Sequence, residues 1–337
     1  MINHIYQLVS PHFFSISYAD VNLNEGVIVR PDFMSICHAD QRYYLGKRDA
    51  KVLSKKLPMA LIHECSGTVL RDNTKTFRAG QKVVLIPNIP GKKCDGVFEN
   101  YSLNSKFRSS STDGFMQEFV SMPADRLVAF ENIKMEVAAV CEFVSVACHA
   151  VNRFKLATIK KIGTIGIWGD GSLAYVLSCV LKEELPDSKV VVIGKDVRKL
   201  SYFTFVDRTF LADSLPKDFS VDNAFECAGG EGSFFAIDDI IRFIRPQGCA
   251  ILLGVSENKI SINTRDILEK GLTFIGCSRS GREDFEKAIN LMGKSDFQSR
   301  LSAEISQEPE VKEISDIHRV FKKDSYNLFK TVFKWGV

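Results

Sequence analysis

Ile165-Gly-Ile-Trp-Gly-Asp-Gly-Ser-Leu-Ala174 lies near the middle of a chain of 337 residues, and its reading decides the fold. A short apolar run ends in Gly169-Asp170-Gly171, and the residues from Ser172 to Leu177 open a helix. Strand, glycine turn and helix together aim backbone N–H groups and a helix N-terminus at a pyrophosphate. The spacing is G-x-G-x-x-A, with Ala174 where the helix must approach the strand closely. By itself such a turn is a weak signal, since many strand–turn–helix units bind nothing. Its position adds information, because about 160 residues precede it and must form something else.

Working outward, residues after about 161 alternate apolar strand-like runs with helical segments. Lys189–Ile193, Asn223–Cys227, Cys249–Leu253 and Leu272–Ile275 read as strands buried on both faces of a parallel sheet. Gly232–Arg242 and Glu283–Met292 read as helices. Toward the N-terminus, Gly26–Arg30, Gly67–Leu70, Gln81–Ile86 and Gly114–Val120 read as strands of a β-rich domain. Lys134–Asn152 has helical apolar spacing, and Leu328–Trp335 reads as a strand returning to the first domain.

Composition sets the class. Hydrophobic residues make up 45%, charged residues 25%, and the net charge is +3. That balance gives no basis for expecting a nucleic-acid or membrane partner. No apolar run approaches the roughly 18 residues of a membrane span, and the first residues lack the pattern of a secretory leader. Nine scattered cysteines, several inside apolar runs, fit buried thiols in a reducing cytoplasm.

Two clusters carry metal-binding chemistry: Cys37-His-Ala-Asp40 and His63-Glu64. Thiolate, imidazole and carboxylate together suit zinc, and a catalytic zinc needs only three protein ligands. Glu142 adds a carboxylate inside an apolar helix, where an unpartnered charge is costly. Alone, a cysteine or histidine in such a setting is most simply a core residue. Their joint occurrence points to a site.

Cys-x-x-Asp, His-Glu-x-x-Gly and Glu-x-x-Ser-Val ahead of a central glycine turn resemble the medium-chain zinc-dependent dehydrogenases, particularly the polyol branch. Phe225-Glu-Cys-Ala-Gly229, Pro246-Gln-Gly248 and Phe333-Lys-Trp335 extend the resemblance over the whole chain. It implies a GroES-like β-barrel catalytic domain (1–143), a Rossmann doubly wound parallel-sheet domain (144–285) and a C-terminal segment (286–337) returning to the first, with the active site in the cleft. It further implies Cys37, His63, Glu64 and Asp40 as catalytic-site residues. Cys37, His63, Glu64 and Glu142 are the metal residues, with Glu142 acting directly or through water.

The chain departs from the family in two places. Only Cys94 occupies the region of the family's four-cysteine lobe, so one catalytic zinc and no structural zinc are expected. Ala39 stands where a proton-relaying hydroxyl is common, leaving metal-bound water, Glu64, Tyr43 or the substrate's own hydroxyl as the relay.

The strand Val190–Ile193 is followed by Gly194-Lys-Asp-Val-Arg-Lys199. Gly194 stands where NAD-specific members carry an acid, and Lys195, Arg198 and Lys199 suit the extra phosphate of NADPH. Asp196 keeps NAD open, and the cluster can also be read as solvated charge at a helix start. His38 matches a basic position near the pyrophosphate, and Gly169, Gly171 and Ala174 form the turn.

Lys106 and Arg108, before Gly114-Phe-Met-Gln-Glu118, suit a phosphate monoester, with Arg42, Lys47 and Arg48 as a second basic source. Ser35–Arg48, Lys56–Glu64, Ser105–Ser110, Asp113–Glu118 and Trp168–Gly171 are similar to the ribulose-5-phosphate reductases of CDP-ribitol synthesis. That likeness implies NADPH-dependent reduction of D-ribulose 5-phosphate to D-ribitol 5-phosphate for teichoic acid or capsule. It also implies a sugar-phosphate substrate, a homodimer and a cytidylyltransferase partner. The alternatives are an NAD-linked dehydrogenase of an unphosphorylated polyol such as sorbitol or xylitol, and a metal-free nucleotide-binding protein.

Overall fold

In the computed structural model, residues 1–158 and 162–337 are described. They divide into two units: residues 1–145 with 280–337, and residues 146–279.

The first unit is β-rich. Its main sheet runs Leu127–Ala129, Lys82–Leu85, Glu64–Asp72, Val27–Ile36, Lys330–Trp335, Ile305–Val311, and Val120–Met122 also pairs with Val27–Ile36. The C-terminal strand lies antiparallel to Val27–Ile36, with Thr331 opposite Ile36, so the end of the chain returns to the first unit. Phe13–Asp20, Ile2–Ser10 and Met59–Ala60 form a smaller sheet, and Asn88–Ile89 pairs with Lys106–Phe107. Apolar side chains alternate inward along these strands, as a half-buried pleat requires. Val27, Val29, Met34, Val69, Val83, Leu85, Phe115 and Phe333 thereby build one continuous core.

Gly114–Val120 is a strand only at its end. Gly114 and Phe115 donate instead to the Ala60 and Ile62 carbonyls from an irregular segment. The helix expected over 134–152 is two helices, Met135–Ala138 and Cys141–Ala157. The boundary expected at 285 lies at 279/280. The helix Arg282–Met292 belongs to the first unit because Arg282 donates to Glu99 Oε1 through its backbone, and to the Asp125 and Leu127 carbonyls through its guanidinium.

The second unit is a six-stranded sheet, parallel throughout, ordered Arg208–Leu211, Lys189–Gly194, Thr164–Trp168, Asn223–Glu226, Cys249–Leu252, Thr273–Gly276. Numbered along the chain the order is 3-2-1-4-5-6, that of a doubly wound dinucleotide-binding sheet. The reversal of strand order falls beside Thr164–Trp168, which leads directly into the glycine turn. Phe225-Glu-Cys-Ala-Gly229 has a structural purpose: the buried Glu226 carboxylate accepts from the Ala228, Gly229 and Gly254 amides and from Ser233 Oγ, tying two strand-end loops together.

Candidate active site

Cys37 ends the strand Val27–Ile36 and caps the helix His38–Tyr44, while His63 and Glu64 lead into the strand Glu64–Asp72. Strand pairing sets Ser35 opposite Glu64 and so brings the two segments together. One ligand atom each from Cys37, His63 and Glu64 can be chosen so that all lie within 4.8 Å of one another.

Each group has a support. Asp40, wholly buried, accepts from the Ile62 amide (3.1 Å), Ser109 Oγ (2.6 Å) and the Cys37 amide (3.2 Å). Its Oδ2 lies 3.6 Å from His63 Nδ1, leaving Nε2 as the ring atom for a metal. Burial alone pushes Asp40 upward, but His63 and these hydrogen bonds hold its carboxyl below the usual range. Burial likewise pushes His63 down, and the negative charges of Asp40 and Cys37 outweigh it, leaving the imidazole well above its ordinary value. An imidazole that favours a proton this strongly sits in a field that equally favours a metal cation.

Glu64 Oε1 accepts from the buried Lys330 ammonium at 2.5 Å, which also donates to the Ile36 carbonyl and lies 4.6 Å from the centre of the Phe143 ring. Glu64 Oε2 is buried with no hydrogen-bond partner among the described residues. A lone buried carboxylate oxygen beside a thiol and an imidazole is the vacant acceptor a zinc ion would fill. Glu142, at the start of the helix Cys141–Ala157, lies outside the 4.8 Å group yet within electrostatic reach of His63, Glu64 and Lys330. Burial raises its carboxyl to about 7. Glu304, also buried and near Lys330, is pushed well up by burial. Neither Lys330 nor Glu304 was among the residues the sequence singled out.

A pH dependence follows for the metal-free protein. Glu142 binds its proton more tightly when folded, so its contribution is complete below the ordinary value of 4.5 and is lost as pH rises through about 7. His63 acts in the same direction, contributing below 6.5 and losing that contribution at higher pH. The melting temperature of chelator-treated protein is therefore expected to fall from about pH 6 to about pH 8, with Glu142→Gln flattening part of the fall. A rise over that window would contradict this balance.

Lys106 and Phe107 are consecutive in a strand, so their side chains leave opposite faces. Phe107 takes the inner face, its ring edge-on to His63 at 5.3 Å, and Lys106 is exposed. The Arg108 guanidinium lies over the Phe115 ring and donates to the Asp113 and Ser121 carbonyls. Lys106 is thus exposed and Arg108 is engaged by backbone carbonyls, while Phe107 and Ser109 lie against His63 and Asp40.

In the second unit, the turn opens a cavity of about 250 Å³ lined by Gly169, Asp170, Gly171, Gly194, Lys195, Lys199 and Phe235 among others. Gly169 has φ of 134°, and a Cβ there would fall 2.8 Å from the Cys227 carbonyl, so only glycine fits. Gly194 has a different reason. A Cβ there would lie 2.6 Å from that of Asp170, whose carboxylate accepts from the Lys195 and Asp196 amides. Asp170 therefore occupies the space an acidic residue at the strand end would need. Lys195 lies over Phe235, 5.3 Å from its ring centre. Arg198 does not line the cavity; it pairs with Asp196, the cap of its own short helix. Ala174 is buried under the turn, and His38 is exposed on the first unit.

Residues 24–132 match the family Alcohol dehydrogenase GroES-like domain, and residues 196–294 match Zinc-binding dehydrogenase. The chain is 50% identical to a ribulose-5-phosphate reductase of Streptococcus pneumoniae, over 100% of this chain and 98% of that protein. It is 44% identical to one of Bacillus spizizenii over the full length of both. The crystal structure of Staphylococcus aureus TarJ in complex with NADPH superposes with a TM-score of 0.90 at 42% identity, over 100% of each chain. With its barrel-type and doubly wound units and a thiol–imidazole–carboxylate cluster, the chain belongs to the medium-chain zinc-dependent dehydrogenases, alongside the ribulose-5-phosphate reductases.

Proposed function

We propose that the chain reduces D-ribulose 5-phosphate to D-ribitol 5-phosphate with NADPH, using one zinc ion, and so supplies CDP-ribitol for teichoic acid or capsule. The observation that carries this reading is the clustered Cys37–His63–Glu64 set, in a chain that matches reductases of this substrate along its whole length. When bound, zinc polarises the C2 carbonyl as a Lewis acid and NADPH supplies the hydride. Cys37, His63 through Nε2 and Glu64 through Oε2 would hold the metal. Asp40 orients the imidazole, Lys330 holds Glu64 in place, and Phe107 covers one side of the His63 ring. One proton on the C2 oxygen completes the alcohol.

One metal per chain follows from Cys94 standing alone in the loop 88–104. A cytoplasmic location fits nine free cysteines, and among the described residues no helix is long and apolar enough to cross a membrane. A homodimer and a cytidylyltransferase that consumes the product complete the proposal.

The direct test is loss of NADPH absorbance with D-ribulose 5-phosphate, with NADH and unphosphorylated ribulose run in parallel. Rapid loss with the phosphorylated ketose and NADPH supports the reading, and preference for NADH or for a free polyol overturns it. The cavity carries its own prediction. Lys195→Glu and Lys199→Glu are expected to raise KM for NADPH by about 10- to 100-fold, the worth of a charge-assisted bond to phosphate, with far less effect on NADH. Equal effects on both cofactors would remove these lysines from recognition of the adenosine phosphate.

A further inference from the structure

The substrate proposed above carries a phosphate; of the first two side chains expected for it, Lys106 is exposed and Arg108 donates to backbone carbonyls. A different basic cluster lies one residue from the metal's supports. Ser109 Oγ donates to Asp40, and the next residue, Ser110, accepts through its Oγ from Lys56 Nζ at 3.1 Å. The same Lys56 ammonium lies 5.9 Å from the centre of the Tyr43 ring, and the Arg48 guanidinium lies 4.7 Å from it. Tyr43 is fully buried, on the helix that Cys37 caps, so its ring is a fixed platform.

Two features mark the cluster as a built site. Among the described residues Lys56 has no carboxylate partner; its one hydrogen bond goes to a neutral hydroxyl. An ammonium whose one hydrogen bond goes to a hydroxyl is open to an anionic partner. The backbone is also bent for the purpose. Ser109 has φ of 59°, the left-handed region that a non-glycine residue enters at a cost, and is held there by its bonds to Asp40 and to the Thr112 carbonyl. That bend lets consecutive serines serve two centres, Ser109 the metal's support and Ser110 the lysine.

We infer that Lys56, Ser110 and Arg48 form the subsite for the substrate's phosphate monoester, with the Tyr43 ring as its floor and Ser109 fixing its distance from the metal. The inference rests on the sugar-phosphate reading and refines it. Lys56 supplies a point charge, Arg48 a planar fork and Ser110 a hydroxyl donor, a set suited to the oxygens of one phosphate.

The experiment compares kcat/KM for D-ribulose 5-phosphate and for ribulose, in the zinc-loaded wild-type enzyme and in Lys56→Met, Lys56→Arg, Ser110→Ala and Arg108→Gln. Zinc content and NADPH binding check that each variant is folded. Lys56→Met is expected to shrink the preference for the phosphorylated substrate by about 10- to 100-fold, mostly through KM, with Ser110→Ala smaller and Lys56→Arg partly restoring it. Inorganic phosphate should compete with substrate in the wild type and weakly in Lys56→Met. An unchanged preference in Lys56→Met, or a larger loss in Arg108→Gln, overturns the subsite while the reductase stands. No preference for phosphate in the wild type overturns the reading beneath it as well.

Discussion

Lys330→Met is expected to lower the stability of the metal-free protein by about 3–5 kcal/mol, the typical result of removing one partner of a buried ion pair. The ammonium and the Glu64 carboxylate are each almost wholly inaccessible and lie 2.5 Å apart. Burial works against the charge on Lys330, and the negative charges of Glu64 and Cys37 overcome it and hold the ammonium charged. With methionine there, Glu64 keeps its buried charge and has nothing to offset it, since Oε2 already lacks a partner. The melting temperature should fall by roughly 10 °C, given about 2–4 °C per kcal/mol for a unit of this size. Zinc should recover much of the loss, because a cation bound to Glu64 replaces the missing one. Adding Glu64→Gln to Lys330→Met should also recover part of it, by removing the stranded charge. A fall of less than about 2 °C in the chelated single variant would show that Glu64 is neutral in the metal-free state, and would remove Lys330 from the site's electrostatics.

The doubly wound unit was legible because its signals are local. Val190–Ile193 and Cys249–Leu253 are continuous apolar runs, and Gly169 stands at a position no other residue can occupy. Arg208–Leu211 escaped notice because it is a half-exposed edge strand with an arginine and a threonine in four residues. Gly114–Val120 misled for the opposite reason. It has a strand's composition, but its inner residues are held by the Ala60–Ile62 backbone outside any ladder.

The site divides in the same way. Cys37, His63 and Glu64 carry their chemistry in their own side chains and were readable in sequence. Their supports depend on contacts across the fold: Lys330 lies 266 residues from Glu64, and Ser109 69 from Asp40. Lys330 left no distinct trace, because the same strand carries Thr331 and a second, exposed lysine at Lys334. Lys56, Lys106 and Arg108 are equally basic, so composition does not rank them as phosphate candidates, and Lys56 meets Ser110 only through a contact 54 residues away.

Cys37→Ser carries the largest expected effect on activity. A serine hydroxyl is a far poorer zinc ligand than a thiolate, and the change removes one of only three donors in the 4.8 Å group. It also removes negative charge that holds the His63 imidazole up and helps keep Lys330 charged, so the remaining donors lose part of the field that favours a cation. Zinc content should drop from about one equivalent to below about a tenth, and kcat/KM for ketose reduction by at least about 1000-fold. NADPH binding, proposed for the cavity lined by Gly169, Gly194, Lys195 and Lys199, should persist and can be followed by the fluorescence of the bound cofactor. Losing metal and turnover while keeping the cofactor separates a zinc reductase from a metal-free nucleotide-binding protein of the same fold. Wild-type protein that purifies with less than about a tenth of an equivalent of zinc, gains no activity when zinc is added and loses none in Cys37→Ser would establish the latter.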